Sequence, residues 1–229
     1  LVTKIPDEVS YQEASFAVIG AIALHSVRLA NPTFGETFVV VGLGLVGQIT
    51  TDILKANGCK VIAFDFDQSK VELAKQNNIT AFTVDNNTDV VKIVTNYTKN
   101  IGADGVIITA STKSDEVISQ AANMCRKKGR VILTGVVGLN LKRSDFYEKE
   151  ISFQVSCSYG PGRHDTNYEQ NGNDYPIFYV RWTEQRNFDS FLQAISQKII
   201  NVKRLISEEI DLEEFYKVYD HLESSRSIA

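Results

Sequence analysis

The chain has 229 residues, 43% of them hydrophobic, and a formal net charge of -4. That length can bury a sizeable core but falls short of two full domains, and the acidic balance argues against a nucleic-acid surface. No run approaches the ~18 apolar residues needed to span a bilayer, and no basic-then-apolar signal opens the chain.

Three cysteines, Cys59, Cys125 and Cys157, are odd in number and widely spaced. This argues against a disulfide framework or a zinc knuckle and predicts a reducing, cytoplasmic setting. The first residue is Leu, so a processed chain or a piece of a longer one is expected.

In chain order, residues 1–36 hold a helical stretch over about Tyr11–Leu29. A strand over Thr37–Val41 leads to a helix in which Ile49, Ile53 and Leu54 share a face, with a stop at Asn57-Gly58. A second strand, Lys60–Phe64, precedes a helix opened by the capping-box spacing Ser69-Lys70-Val71-Glu72. The third strand, Ala81–Val84, is followed by a helix capped by Thr88 or Asp89, with apolar positions Val90, Val91 and Val94.

A fourth strand, Gly105–Thr109, precedes the best-marked helix. There Ser114 is the expected N-cap, Asp115 and Glu116 occupy the first turn, Arg126, Lys127 and Lys128 the last, and Gly129 the C′ position. Strands Arg130–Thr134 and Ile151–Cys157 complete six. Alternating strands and helices predict crossover units on a parallel sheet, and continuous runs such as VVVGL and VIAF predict cover on both faces. The expected class is therefore α/β, a doubly wound parallel six-stranded sheet of the Rossmann type with extra terminal helices. The expected division is 1–36 as lead-in, 37–158 as the nucleotide-binding domain, 159–187 as an aromatic and Arg-rich loop, and 188–229 as a helical segment. The last segment shows helical patterns over about Phe188–Ile199 and Leu212–Glu223.

Residues 38–47 read FVVVGLGLVG, so Gly42-x-Gly44-x-x-Gly47 leaves a strand and opens a helix. The first glycine permits a tight turn, the second lets a pyrophosphate approach the backbone, and the third lets helix and strand pack closely. The helix N-terminus then offers its N–H groups to phosphate. Asp65 ends the second strand, 18 residues after Gly47. A carboxylate there accepts from both ribose hydroxyls and repels a 2′-phosphate, so NAD is expected over NADP. Asp67 is an alternative acid, though it reads better as a helix cap. A glycine turn without ligand, and a methyltransferase, are the competing readings. The latter usually carries an acid just before its glycines, where this chain has Val41.

With these residues and the stretches GADGVIITAS and KKGRVILTGV, the chain resembles the medium-chain, zinc-type alcohol dehydrogenases over nearly its whole length. The resemblance implies that Gly44, Leu45 and Val46 offer N–H groups to the pyrophosphate and that Asp65 and Lys70 hold the adenosine ribose. It places Thr109, Ala110 and Ser111 beside the nicotinamide ribose, and Thr134, Gly135 and Val136 at the carboxamide. It implies hydride transfer between nicotinamide and an alcohol or carbonyl carbon, a preceding catalytic domain of some 150 residues, and a homodimer joined through edge strand 151–157. A catalytic zinc ligand in many members aligns with Ile19, which puts zinc in doubt; His25 is the nearest candidate. No catalytic residue is assigned.

The stretch Ser158–Phe188 further resembles bidomain bacterial oxidoreductases fused to a Gfo/Idh/MocA-type half, which accompany surface-polysaccharide synthesis. Its Tyr159, Tyr168, Tyr175, Tyr179 and Trp182, with Arg163, Arg181 and Arg186, suit either a sugar-linked anion or docking against absent domains. His164 and Tyr159 are candidate proton carriers without a partner identifiable from spacing, and His221 reads as solvated surface. The overall expectation is an NAD-binding domain that binds cofactor without turnover by itself. A non-catalytic nucleotide-binding or assembly module is the alternative.

Overall fold

A computed structural model describes residues 2–216. Its helices and strands alternate: α1 (Tyr11–Ala14), α2 (Ala17–Ala30), β1 (Thr37–Val41), α3 (Leu45–Ala56), β2 (Lys60–Asp65), α4 (Gln68–Gln76), β3 (Thr80–Thr83), α5 (Val90–Tyr97), β4 (Ala103–Ile108), α6 (Glu116–Met124), β5 (Cys125–Leu133), α7 (Arg143–Tyr147), β6 (Ser152–Val155), α8 (Thr166–Glu169) and α9 (Glu184–Ser196). The six strands run in the order β3-β2-β1-β4-β5-β6, every neighbouring pair parallel. This is the doubly wound sheet expected.

Burial on both faces follows from residue alternation along the central strands. Phe38, Val40, Ala63 and Ile107 pack with Val27 of α2, Ile49 and Ile53 of α3 and Phe191 of α9. Val39, Val106, Ile108 and Val131 turn to the opposite layer, with Val94 of α5 and Ile118 and Ala121 of α6.

Three local expectations need correction. The helix after β2 is capped by Asp67, whose Oδ1 accepts from the Ser69 N–H at 2.8 Å, so it starts before the Ser69–Glu72 box. The preferred reading of Asp67, as a cap rather than an alternative acid, is the one the structure bears out. Of the two candidate caps before α5 it is Asp89 that accepts from the Lys92 N–H, at 2.9 Å.

The helix after β4 begins at Glu116 and ends at Met124. Ser114 still accepts from the Glu116 N–H at 3.1 Å. Arg126, Lys127 and Lys128 lie inside β5, in an excursion between the pairs Ala103↔Cys125 and Gly105↔Arg130. Arg126 is drawn there by Asp104, 2.6 Å from its Nε. The cation that serves the carbonyls at the end of α6 is Lys149, with Nζ 2.6 Å from Asn123 O and 2.8 Å from Cys125 O. A lysine distant in sequence thus does the work expected of the adjacent ones.

The third correction concerns α9, which begins at Glu184 rather than Phe188, because Thr183 accepts from the Arg186 N–H at 3.5 Å. The segment before it is ordered by its own contacts. Arg163 pairs with Glu169 at 2.7 Å, Tyr168 stacks on Tyr175 at 5.2 Å, and Arg186 donates to Val180 O at 2.8 Å. Of the last expected helix, the 3₁₀ turn Leu212–Glu214 and the helical Phe215 and Tyr216 after it fall among the described residues; the remainder and His221 lie outside them.

Candidate functional site

At the carboxyl end of β1 the chain turns at Gly42 with φ +97°, a conformation strained for any side chain. A Cβ there would lie 2.7 Å from the Ala110 nitrogen. At Gly47 a Cβ would lie 2.0 Å from the Gly42 carbonyl oxygen, so α3 can approach β1 this closely only without a side chain. A Cβ on Gly44 would meet nothing within 4 Å. The middle glycine therefore borders open space, where a pyrophosphate would lie.

Gly44 is the N-cap of α3, and the N–H groups of Leu45, Val46 and Gly47 form its first turn, where no intrahelical acceptor exists. Leu45 and Val46 are partly exposed, so the donor end of α3 is accessible from solvent. The positive end of the helix dipole favours an anion at this place.

Asp65, the last residue of β2, faces the same turn. Its Oδ2 accepts from the Leu43 N–H at 2.6 Å and its Oδ1 from the Asp67 N–H at 2.8 Å. Two backbone donors therefore fix the carboxylate in orientation. Lys70 is half-buried on the first turn of α4, and its carbonyl accepts from Gln48 Nε2 at 2.8 Å.

The ends of β4 and β5 converge on the same edge. The Thr109 hydroxyl donates to the Gly42 carbonyl at 2.8 Å, tying β4 to the glycine turn. Ser111 forms a parallel bridge with Val136, and the Val136 N–H donates to Ala110 O at 3.1 Å. Thr134 and Gly135 both donate N–H to Ile108 O at 2.9 Å. A Cβ on Gly135 would lie 2.0 Å from Ala110 O, so only glycine allows these two strand ends to close up. The Thr134 Oγ1 is buried without a partner, while Val136 and Ser111 are exposed. All the residues expected at the dinucleotide therefore gather at one edge of the sheet.

A network that the sequence did not signal braces this edge from behind. Gln48, fully buried, donates to Leu43 O at 3.3 Å as well as to Lys70 O. Arg204, from the segment after α9, reaches Gln48 Oε1 at 3.3 Å and Asp52 Oδ2 at 2.7 Å, and Asn77 donates to Asp52 Oδ1 at 2.6 Å. Burial pushes the Asp52 carboxyl up, against the pull of Arg204. Gln48 and Asp52, polar residues one turn apart on α3, are the local signs of this arrangement.

Ile19, on α2, lines a cleft with Phe16, Leu45 and Ile206 and with the polar Gln12, Ser15, Glu208 and Glu209, and its own side chain offers no atom to a metal. His25 is buried against Gly160, and among the described residues no group of three His, Cys, Asp or Glu side chains could hold a metal ion. Burial, then Arg28, holds the His25 imidazole below its usual range. Of the candidate proton carriers, His164 sits at φ +69° in the segment before α8, and Tyr159 packs on Phe188 at 5.2 Å. The described contacts tie neither to the glycine turn.

An all-parallel sheet with a glycine-rich first crossover, a carboxylate closing the second strand and an open helix N-terminus defines a dinucleotide-binding domain. Residues 46–170 match the zinc-binding dehydrogenase family model, and the chain belongs to that family as an NAD(P)-binding domain. It is 32% identical to an erythritol/L-threitol dehydrogenase of Mycolicibacterium smegmatis over 139 residues, 60% of this chain and 38% of that protein. Two solved structures share the fold. One is described as a short chain alcohol dehydrogenase from Escherichia coli CFT073 complexed with NADH (TM-score 0.76, 20% identity, 99% of this chain and 60% of that one). The other is a zinc-binding dehydrogenase from Sinorhizobium meliloti 1021 bound to NADP (TM-score 0.73, 23% identity, 99% and 59%). The chain spans between 38% and 60% of the length of the curated relatives it matches.

Proposed function

We propose that this chain is the NAD(H)-binding domain of an oxidoreductase that moves hydride between nicotinamide and an alcohol or carbonyl carbon of a polyol or sugar-linked substrate. The observation that carries this reading is the glycine turn, with its open middle position, facing an Asp65 carboxylate already oriented by two backbone N–H groups. Gly44, Leu45 and Val46 bind the pyrophosphate; Asp65, with Lys70, takes the adenosine ribose. Thr109, Ala110 and Ser111 line the nicotinamide ribose, and Thr134, Gly135 and Val136 orient the carboxamide. When bound, the cofactor supplies the hydride chemistry, and this chain's part is to hold and orient it.

The preference for NAD rests on charge. A fixed carboxylate beside the adenosine ribose accepts from a diol but repels a phosphate in its place. The polyol class is suggested by the erythritol/L-threitol dehydrogenase relative. Turnover belongs to the whole protein: this chain supplies the cofactor seat, and a catalytic domain completes it. A fused second oxidoreductase half and a homodimer formed through β6 are part of the same proposal.

Calorimetric titration with NADH and NADPH tests it. We expect NADH to bind more tightly than NADPH, and Asp65→Asn to narrow that gap by about tenfold or more, as for loss of a charge-assisted hydrogen bond. The asparagine oxygen keeps an acceptor for the Leu43 N–H of the turn, while the bond from the Asp67 N–H is given up. Equal affinity for the two nucleotides in the unmodified chain would remove the proposed role of Asp65, and binding of neither would leave the assembly-module reading.

A further inference from the structure

The segment before α9 carries a feature that the dinucleotide site does not use. Trp182 lies against two guanidinium groups: the Arg28 carbon is 3.4 Å from its ring centroid and the Arg181 carbon 3.8 Å. Arg126, Arg130, Arg163, Arg186 and Arg204 each pair with a carboxylate, but among the described residues no carboxylate lies within ion-pair distance of Arg28 or Arg181. Arg28 is partly buried, which is where an uncompensated cation is least expected. Burial and the neighbouring Arg181 lower its pKa to about 10. Among the described residues, a chain of net charge -4 thus brings two cations without a carboxylate partner to one place.

The guanidinium donors are only partly spent. Arg28 gives one N–H to Asn187 Oδ1 and another to Ser190 Oγ at 3.1 Å, which fixes its plane and leaves donors over. Arg181 is exposed and donates to no described residue. The turn leading into it is held by Tyr179 and Val180 N–H bonds to Pro176 O, at 2.9 and 3.1 Å, and by Arg186. That turn exposes Phe178 and Tyr179, aromatic faces on which a ring can lie.

We propose that Arg28, Arg181 and Trp182 form a second binding site, for an organic oxyanion: a carboxylate or phosphate carried on a compact ring, as in a sugar acid or sugar phosphate. Trp182 lies sandwiched between the two guanidinium groups and holds both in place by cation–π contact, so that their unspent N–H groups beyond the ring's edge offer charge-assisted donors to such a group, the exposed Arg181 fork above all. The site is separate from the dinucleotide edge. Ala30, two residues past Arg28, accepts through its carbonyl from Arg130, and Arg130 lies opposite Gly105 and Ser152 near the amino ends of β4 and β6. The glycine turn is at the carboxyl end of β1.

Trp182 is the sole tryptophan of the sequence, so its fluorescence reports on this site directly. The whole chain is titrated with D-glucuronate, with glucose 1-phosphate and with neutral glucose, at constant ionic strength. A saturable change with either anion and none with glucose supports the site, and the stronger of the two anions identifies the source of the oxyanion. Arg181→Ala, an exposed position, should weaken that binding by about tenfold, as expected for loss of a charged hydrogen bond. The variant's affinity is read by calorimetry because the substitution also alters the resting emission. Its NADH titration should be unchanged, which separates this proposal from the dinucleotide reading. No saturable response to either anion, an equal response to glucose, or full affinity in Arg181→Ala would overturn it.

Discussion

Glu184 is fully buried at the start of α9, and neither carboxylate oxygen has a hydrogen-bond partner. Burial, reinforced by Glu169 nearby, raises its pKa. A carboxyl raised on folding binds its proton more tightly in the native state, so stability falls as pH rises from the ordinary glutamate range through the folded pKa. Glu184→Gln should therefore stabilise the protein at pH 7 by about 1 kcal/mol or more, the scale of a buried polar group left unmatched. The gain should disappear near pH 4. Chemical denaturation at both pH values measures this, and an equal effect at both would mean that charge is not the cause. Such a site was not legible beforehand, because Glu184 in sequence is only an acid near a helix start, and its burial comes from the packing of the aromatic segment around it. Gly42, Gly44 and Gly47 were legible for the opposite reason: their task is set by backbone conformation and close approach within one strand–turn–helix unit.

Among the elements, β1 fell at its expected bounds because its apolar run ends abruptly in glycine, whereas α6 was read too long. Its basic run looked like a helix C-terminus, yet those residues follow Asp104 into the sheet and Lys149 takes their place at the helix end. Local charge pattern cannot distinguish these outcomes, since the deciding partners lie on other elements. The brace behind the glycine turn was hidden likewise, as it joins α3 to residues far along the chain. Removing Arg204 would leave Asp52, only 5% exposed, as an uncompensated buried charge. Arg204→Met should destabilise the protein by about 3–5 kcal/mol at neutral pH. Because burial already raises the Asp52 pKa, the loss should shrink as pH falls and that carboxyl takes up a proton. Adding Asp52→Leu should recover much of the stability, and failure to do so would mean that the arginine acts through packing alone.

At the scale of the whole molecule, β6 closes one side of the sheet as an open edge, with Val155 54% exposed. Unpaired edges of this kind invite another strand. The proposed homodimer should appear in sedimentation equilibrium, and Val155→Lys should shift it toward monomer; a monomer at high concentration in the unmodified chain would dismiss it. The brace described above also bears on how the protein is made. Arg204 meets Gln48 and Asp52 across separations of 156 and 152 residues. Synthesis runs from the amino terminus, so β1 and α3 leave the ribosome long before the arginine that steadies them. The nascent glycine turn must wait, with a buried carboxylate lacking its counter-charge, until the 152 residues that separate Asp52 from Arg204 have emerged. Capture of a cofactor at a braced turn thus comes well after the residues that touch the cofactor have been made.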